Sequence, residues 1–209
     1  MLVRAQRGVL AWNLGKSCRW GFDKQTVTLG RMVGSDALRI IGFDPGLNVT
    51  GYGVIVVTRG KLSLIEAGTV RSRGVSLESR LAFIYAGVRE VLETFKPSAV
   101  AVEDLFVHAQ FPRTAVLMGH ARGVICLAAA LADVSVHHYP PTRVKRMLTG
   151  SGRAGKEQMQ AAIQRELSLP HIPKPADAAD ALAVAIADYH MRIRLCNTMT
   201  NDKAPRNSA

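Results

Sequence analysis

Between Arg39 and Ile55 the chain reads R-I-I-G-F-D-P-G-L-N-V-T-G-Y-G-V-I, and no other stretch restricts the possible folds as much. Ile40 and Ile41 lead an apolar run into Asp44, Pro45 and Gly46 interrupt it, and a second β-rich run begins at Tyr52. That is the pattern of strand, tight turn and strand. Asp44 therefore stands at the C-terminal tip of a buried strand. A carboxylate there is costly unless a cation meets it, while Gly46 lets a phosphate or a metal come close to the backbone. A metal or phosphate site and an ordinary Asp-Pro-Gly turn both fit this stretch, so the rest of the chain has to decide.

From Arg39 onward the pattern predicts strands over 39–44, 51–58 and 61–70, the last two joined tightly at Arg59 and Gly60, as an antiparallel meander. Leu81, Ile84, Tyr85, Val88 and Leu92 then recur at helical spacing up to Pro97, and A-V-A-V-E at 99–103 reads as a short buried strand. An apolar helix over 113–132, a strand over 134–138 and helices over 141–149, 156–167 and 176–194 complete the order. The fold class is α/β: a mixed sheet of three antiparallel and two parallel strands flanked by helices. A right-handed crossover makes the strand ending at Glu103 parallel to the one ending at Asp44, so both acids reach one sheet edge, where ligands of such sheets bind.

The last helix opens P-A-D-A-A-D-A-L-A-V-A-I, which puts Asp177 and Asp180 on one helical face. As an isolated pair they could simply complement the helix dipole. Together with Asp44 and Glu103 they make four carboxylates on apolar elements, which would repel one another until some took up protons. Hard divalent cations resolve that repulsion. Oxygen-only ligands select Mg²⁺ or Mn²⁺, and two such ions suit in-line phosphodiester displacement.

These segments carry a resemblance. F-D-P-G-L-N-V-T-G-Y-G-V-I, A-V-E-D-L-F, G-H-A-R-G-V, P-T-R-V-K and A-D-A-A-D-A-L-A-V-A-I, in order over residues 39–190, resemble the RuvC family of Holliday junction resolvases, crossover junction endodeoxyribonucleases with a ribonuclease H-like fold. The resemblance implies that Asp44, Glu103, Asp177 and Asp180 are the catalytic and metal-binding positions, with two Mg²⁺ ions per site and Mn²⁺ able to substitute. It also implies a four-way DNA junction as substrate, a homodimer that nicks paired strands symmetrically, a branch-migration helicase complex as partner, and a base-stacking role for Phe106. By the residues alone, Phe106 would be assigned to the core.

Arg143, Lys145, Arg146, Arg153 and Lys156 form a cluster without an acid, on a helix and the Gly-rich turn after it. This suits phosphate contacts that position DNA, the alternative being a solvated charged face. Lys145 and Lys156 are the two that the resemblance places near the scissile strand, and Lys156 can face a phosphate from a helix N-terminus. The turn G-S-G-R-A-G-K-E also fits two nucleotide-binding patterns. Glu157 stands where one of them needs Ser or Thr, and the preceding R-V-K-R-M-L reads as helix where both need a strand.

The net charge of +11 suggests an acidic polymer as partner. Much of the excess lies in the tails: six Lys/Arg against two Asp/Glu in residues 1–38, and four against one in 191–209. Residues 1–38 read as a basic extension that is disordered or, with translation starting at Met32, no part of the working protein. Residues 39–194 are then the nuclease domain and 195–209 a flexible tail. No apolar run is expected to reach the roughly 20 residues of a membrane span. Cys18, Cys126 and Cys196 are odd in number and far apart, which points to free thiols and a cytoplasmic location. All six histidines read as structural or surface residues. Two other functions stay open: an actin-like or sugar-kinase-like ATP-binding protein, which shares an Asp-x-Gly hairpin, and a non-catalytic junction-binding protein of the same fold.

Overall fold

The computed structural model describes residues 37–105, 112–171 and 173–201, with Pro112 and residues 193–201 as backbone only. Among the described residues, β1 (Leu38–Asp44), β2 (Val49–Thr58) and β3 (Lys61–Arg71) form the expected meander. Arg59 and Gly60, at φ of 51° and 76°, close the β2–β3 turn. β4 (Ala99–Glu103) pairs parallel with β1, and β5 (Val136–Tyr139) parallel with β4, so the sheet order is β3-β2-β1-β4-β5. This is the mixed sheet that the hydrophobic pattern predicts.

The alternation along β1 sorts the helices into two layers. Ile41 and Phe43 face α1 (Leu77–Phe95) and α2 (Pro112–Leu131), where Ile84, Val88, Leu92, Ala121 and Ile125 are buried against them. Ile40 faces the opposite way, into a core built with Val144 of α3 (Pro141–Thr149), Ile163 of α4 (Lys156–Glu166) and Leu182 and Ile186 of α5 (Ala176–Asn201). Successive strand residues point to opposite faces, so one strand serves both cores.

The placement of α5 depends on glycine. A Cβ on Gly42 would lie 2.0 Å from the carbonyl oxygen of Ala181, and one on Gly51 would lie 2.0 Å from that of Asp177. Only bare backbone on the sheet lets the helix backbone come this close. The first turns of α5 are therefore seated directly on β1 and β2.

The structure departs from expectation at several points. Strand β5 starts at Val136 rather than 134, because Asp133 adopts φ of 56° and the Val134 N–H donates to the Ala129 carbonyl, which spends Val134 on closing α2. Helix α5 continues to Asn201, past the expected end at Arg194, so the tail expected from residue 195 starts as helix. No Pro or Gly follows until Pro205, and nothing local breaks the helix sooner. The apolar stretch Arg113–Leu131 is, contrary to expectation, long and apolar enough by composition to cross a membrane. The excess of Ala and Gly hides this length from a search for bulky apolar runs. Here the helix packs on the sheet through Ala121, Ile125, Ala128 and Ala129, while Val116, Leu127 and Leu131 stay exposed.

Candidate active site

Asp44 and Glu103 are the last residues of adjacent parallel strands, one step beyond the Phe43–Val102 pair. Strand spacing puts their backbones about 4.8 Å apart. Asp44 follows Gly42 by two residues and Glu103 follows Ala101 by two, so both side chains point to the face that α5 covers. Gly51, the register partner of Asp44, is the residue on which the Asp177 carbonyl rests. Asp180 follows one helical turn later. The sheet edge and the start of α5 thus bring together all four predicted acids.

Their electrostatics record the crowding. Burial, and then the negative charges of Asp180 and Asp177, push the Asp44 carboxyl up to about 7. Burial is also the main cause for Glu103, raised to about 7 with Asp44 and Asp180 adding to it and Lys145 opposing. Asp180 is raised by burial, and of its charged neighbours Lys156 and Lys145 pull it down while Asp177 pushes it up. Asp44, Glu103 and Asp180 each feel the negative charge of at least one other acid of the cluster. Charge-charge repulsion and desolvation both penalise the ionised forms, so the cluster is short of positive charge.

Hard divalent cations fit that shortage, because the donors are carboxylate oxygens with no thiolate or imidazole among them. Among the described residues no group of three or more His, Cys, Asp or Glu is already gathered as an ion cage. The acids converge as an open set at the end of the sheet.

The basic cluster divides. Lys145 and Lys156 line a cavity of about 370 Å³ together with Glu103 and Asp180, floored by Val144 and Met159. Lys156 is the first residue of α4, whose N-cap Gly155 has no side chain to block approach. Arg143, Arg146 and Arg153 are exposed on the surrounding surface, and a guanidinium nitrogen of Arg143 leans on the Met191 sulfur at 3.6 Å. Phe106 lies outside the described residues. The Gly-rich turn follows helix α3 rather than a strand, which removes the nucleotide-binding reading.

Two supporting contacts escaped sequence reasoning. Asp188 is fully buried in α5 and accepts from the Tyr139 hydroxyl at 2.8 Å, with His137 Nδ1 at 2.5 Å. Arg192 Nε forms an ion pair with its other oxygen at 3.0 Å without hydrogen-bond geometry. This group bolts α5 to β5. An acid eight residues past Asp180 inside an apolar helix was the available signal, since a buried carboxylate needs partners. Asp104, next to Glu103, accepts from Arg122 Nη2 of α2 at 2.7 Å. The same nitrogen is 2.8 Å from His138 Nδ1. Burial and Arg122 lower the His138 pKa, so its Nδ1 stays free to accept.

Comparison with known proteins agrees with this geometry. The family model described as crossover junction endodeoxyribonuclease RuvC matches residues 40–188. A crossover junction endodeoxyribonuclease RuvC of Rhodopirellula baltica is 51% identical over 153 residues, covering 73% of this chain and 86% of the relative. The solved Thermus thermophilus RuvC structure superposes with a TM-score of 0.69 at 35% identity, over 75% of this chain and 96% of that one. For T. thermophilus RuvC in complex with Holliday junction substrate the TM-score is 0.70 at 36% identity, over 74% and 94%.

Proposed function

This chain belongs to the crossover junction endodeoxyribonuclease RuvC family, and on that premise we propose that it resolves Holliday junctions by paired symmetric nicks, with Asp44, Glu103, Asp177 and Asp180 as its catalytic carboxylates. The observation that carries this is the meeting of the four acids at one sheet edge, where Asp44 and Glu103 are pushed up to about 7. Carboxyls in that state gain most from a partner of high positive charge. The four acids would hold Mg²⁺, two ions per site, with Mn²⁺ able to substitute. Bound by these oxygens, such ions would supply Lewis-acid chemistry for in-line hydrolysis.

The chain's own residues do the rest. Asp44 and Glu103, fixed at strand ends, set the spacing of the site, while Asp177 and Asp180 approach from a helix that cannot slide because its backbone rests on glycines. Lys145 and Lys156 face the acids across the cavity and meet the backbone phosphates on that side of the cleaved bond. Arg143, Arg146 and Arg153 hold the flanking backbone without reading its sequence. Phe106 stacks on a base at the branch point. The apolar residues that α2 leaves exposed, Val116, Leu117, Leu127 and Leu131, form the contact of a two-fold dimer, so that two equivalent sites meet two like strands. The protein works in the reducing cytoplasm beside a branch-migration helicase complex.

Purified protein is expected to cut a synthetic four-way junction with Mg²⁺ into ligatable products and to leave it intact with a chelator. Asp44→Asn is expected to bind the junction without cutting. Wild-type protein that binds but never cuts would instead identify a non-catalytic junction-binding protein, against which the retention of all four acids argues.

A further inference from the structure

Strand β3 is antiparallel to β2, and β2 to β1, so β3 runs the same way as β1 and ends at the same sheet edge. Its last residue is Arg71, which pairs with Val49, two positions beyond the Gly51 that faces Asp44. Two strand spacings across and two residues along put Arg71 about 12 Å from Asp44, backbone to backbone. The chain leaving β3 then carries Arg73 and enters α1, where Arg80 lies.

Arg71 and Arg73 are exposed, and neither side chain has a hydrogen-bond or ion-pair partner among the described residues. Arg80 is held in place: its Nε donates to the Gly74 carbonyl at 3.1 Å and its Nη1 to Asn48 Oδ1 at 2.7 Å. Asn48 belongs to the β1–β2 turn just past Asp44, and Ser72 pins the same turn through the Leu47 and Asn48 carbonyls. Glu78, five residues after Arg73, is exposed, and its pKa is lowered, first by the Ser76 hydroxyl. Three guanidiniums therefore stand on the β3 side of the acidic centre, one preorganised and two free. Lys145 and Lys156 stand on the opposite side, beyond β4.

Resting this on the nuclease reading of the acidic centre, we propose that Arg71, Arg73 and Arg80 form a second phosphate-binding edge that holds the DNA strand where it runs off the β3 side of the sheet. A strand crossing the sheet edge at right angles to the β-strands then meets cations, the four acids, and cations again. Without the first flank, only one side of the cleavage point would be held, and the scissile phosphate could swing away from the acids. Arginine suits such a flank because its planar fork can grip phosphate oxygens in pairs.

The test is the salt dependence of binding to a four-way junction in chelator, where no strand is cut. Each lost phosphate contact lowers the slope of log K against log salt by about 0.9, so the double variant R71Q/R73Q is expected to lose about 1.8 of the wild-type slope. The control R59Q/K61Q removes the same charge at the opposite sheet edge, from residues that are equally exposed, and is expected to keep the wild-type slope. A wild-type slope for R71Q/R73Q, or an equal loss in the control, would overturn the second edge. Wild-type protein that cuts the junction with Mg²⁺ while R71Q/R73Q keeps the wild-type slope would confine the failure to this edge. Wild-type protein that neither binds nor cuts would overturn the nuclease reading itself, and the edge with it.

Discussion

Replacing Asp44 by Asn should make the metal-free protein more stable while abolishing cleavage. The carboxyl is raised from 3.8 to about 7, so the folded state holds its proton more tightly than the unfolded chain does. The stability this lends is fully present below about 3.8 and is lost as pH rises through about 7. Taken at face value, the loss by pH 8 is on the order of 4 kcal/mol. Asp44 is partly exposed and shares the repulsion with its neighbours, so about half of that, ~2 kcal/mol, is the expected gain from an Asn that cannot ionise. For a chain of this size that is about 4–8 °C in Tm. Urea unfolding of both proteins in chelator, at pH 8 and at pH 4.5, measures it. The gap should be near ~2 kcal/mol at pH 8, clearly smaller at pH 4.5, and vanish only below about 3.8. Millimolar Mg²⁺ at pH 8 should close it, because an ion bound only to the folded wild type adds stability there. A variant equal to or weaker than wild type at pH 8, or a gap independent of pH, would refute the claim that crowding and burial destabilise this carboxylate.

Two further outcomes follow from the same geometry. In Gly51→Ala the new Cβ would lie 2.0 Å from the Asp177 carbonyl oxygen, so α5 must lift; a loss of about 1–3 kcal/mol in thermal unfolding should accompany at least a tenfold slower single-turnover cleavage with junction binding retained. Lys145→Ala removes the cation that opposes the rise of the Glu103 pKa, so Glu103 should titrate higher still and the rising limb of the pH–rate profile should move to higher pH. An unmoved limb would place Lys145 away from the site.

The candidate site was legible because its four acids break local rules. Asp44 and Glu103 terminate apolar strands, and Asp177 and Asp180 sit on an apolar helix; four acids on apolar elements point to a ligand. Lys145 was legible from charge clustering, although clustering could not separate it from Arg143 and Arg146, which flank it in the same helix but are exposed away from the acids. Asp188 and the Arg122–Asp104 contact were not legible. Their partners lie 49 and 18 residues away in sequence, and such pairings are created only when β5 meets α5 and α2 meets β4.

By itself the amino-acid order determined the succession of strands and helices, because alternation, helical spacing and breakers such as Pro97 act over a few residues at a time. It also determined which side chains were too polar for their surroundings. Only the tertiary structure decided that these acids share one edge, that Gly42 and Gly51 let α5 settle against the sheet, and that Arg71 ends level with them on the far side. Strand order and helix seating are set by close packing between segments far apart in the chain, and no local pattern encodes which surfaces will touch.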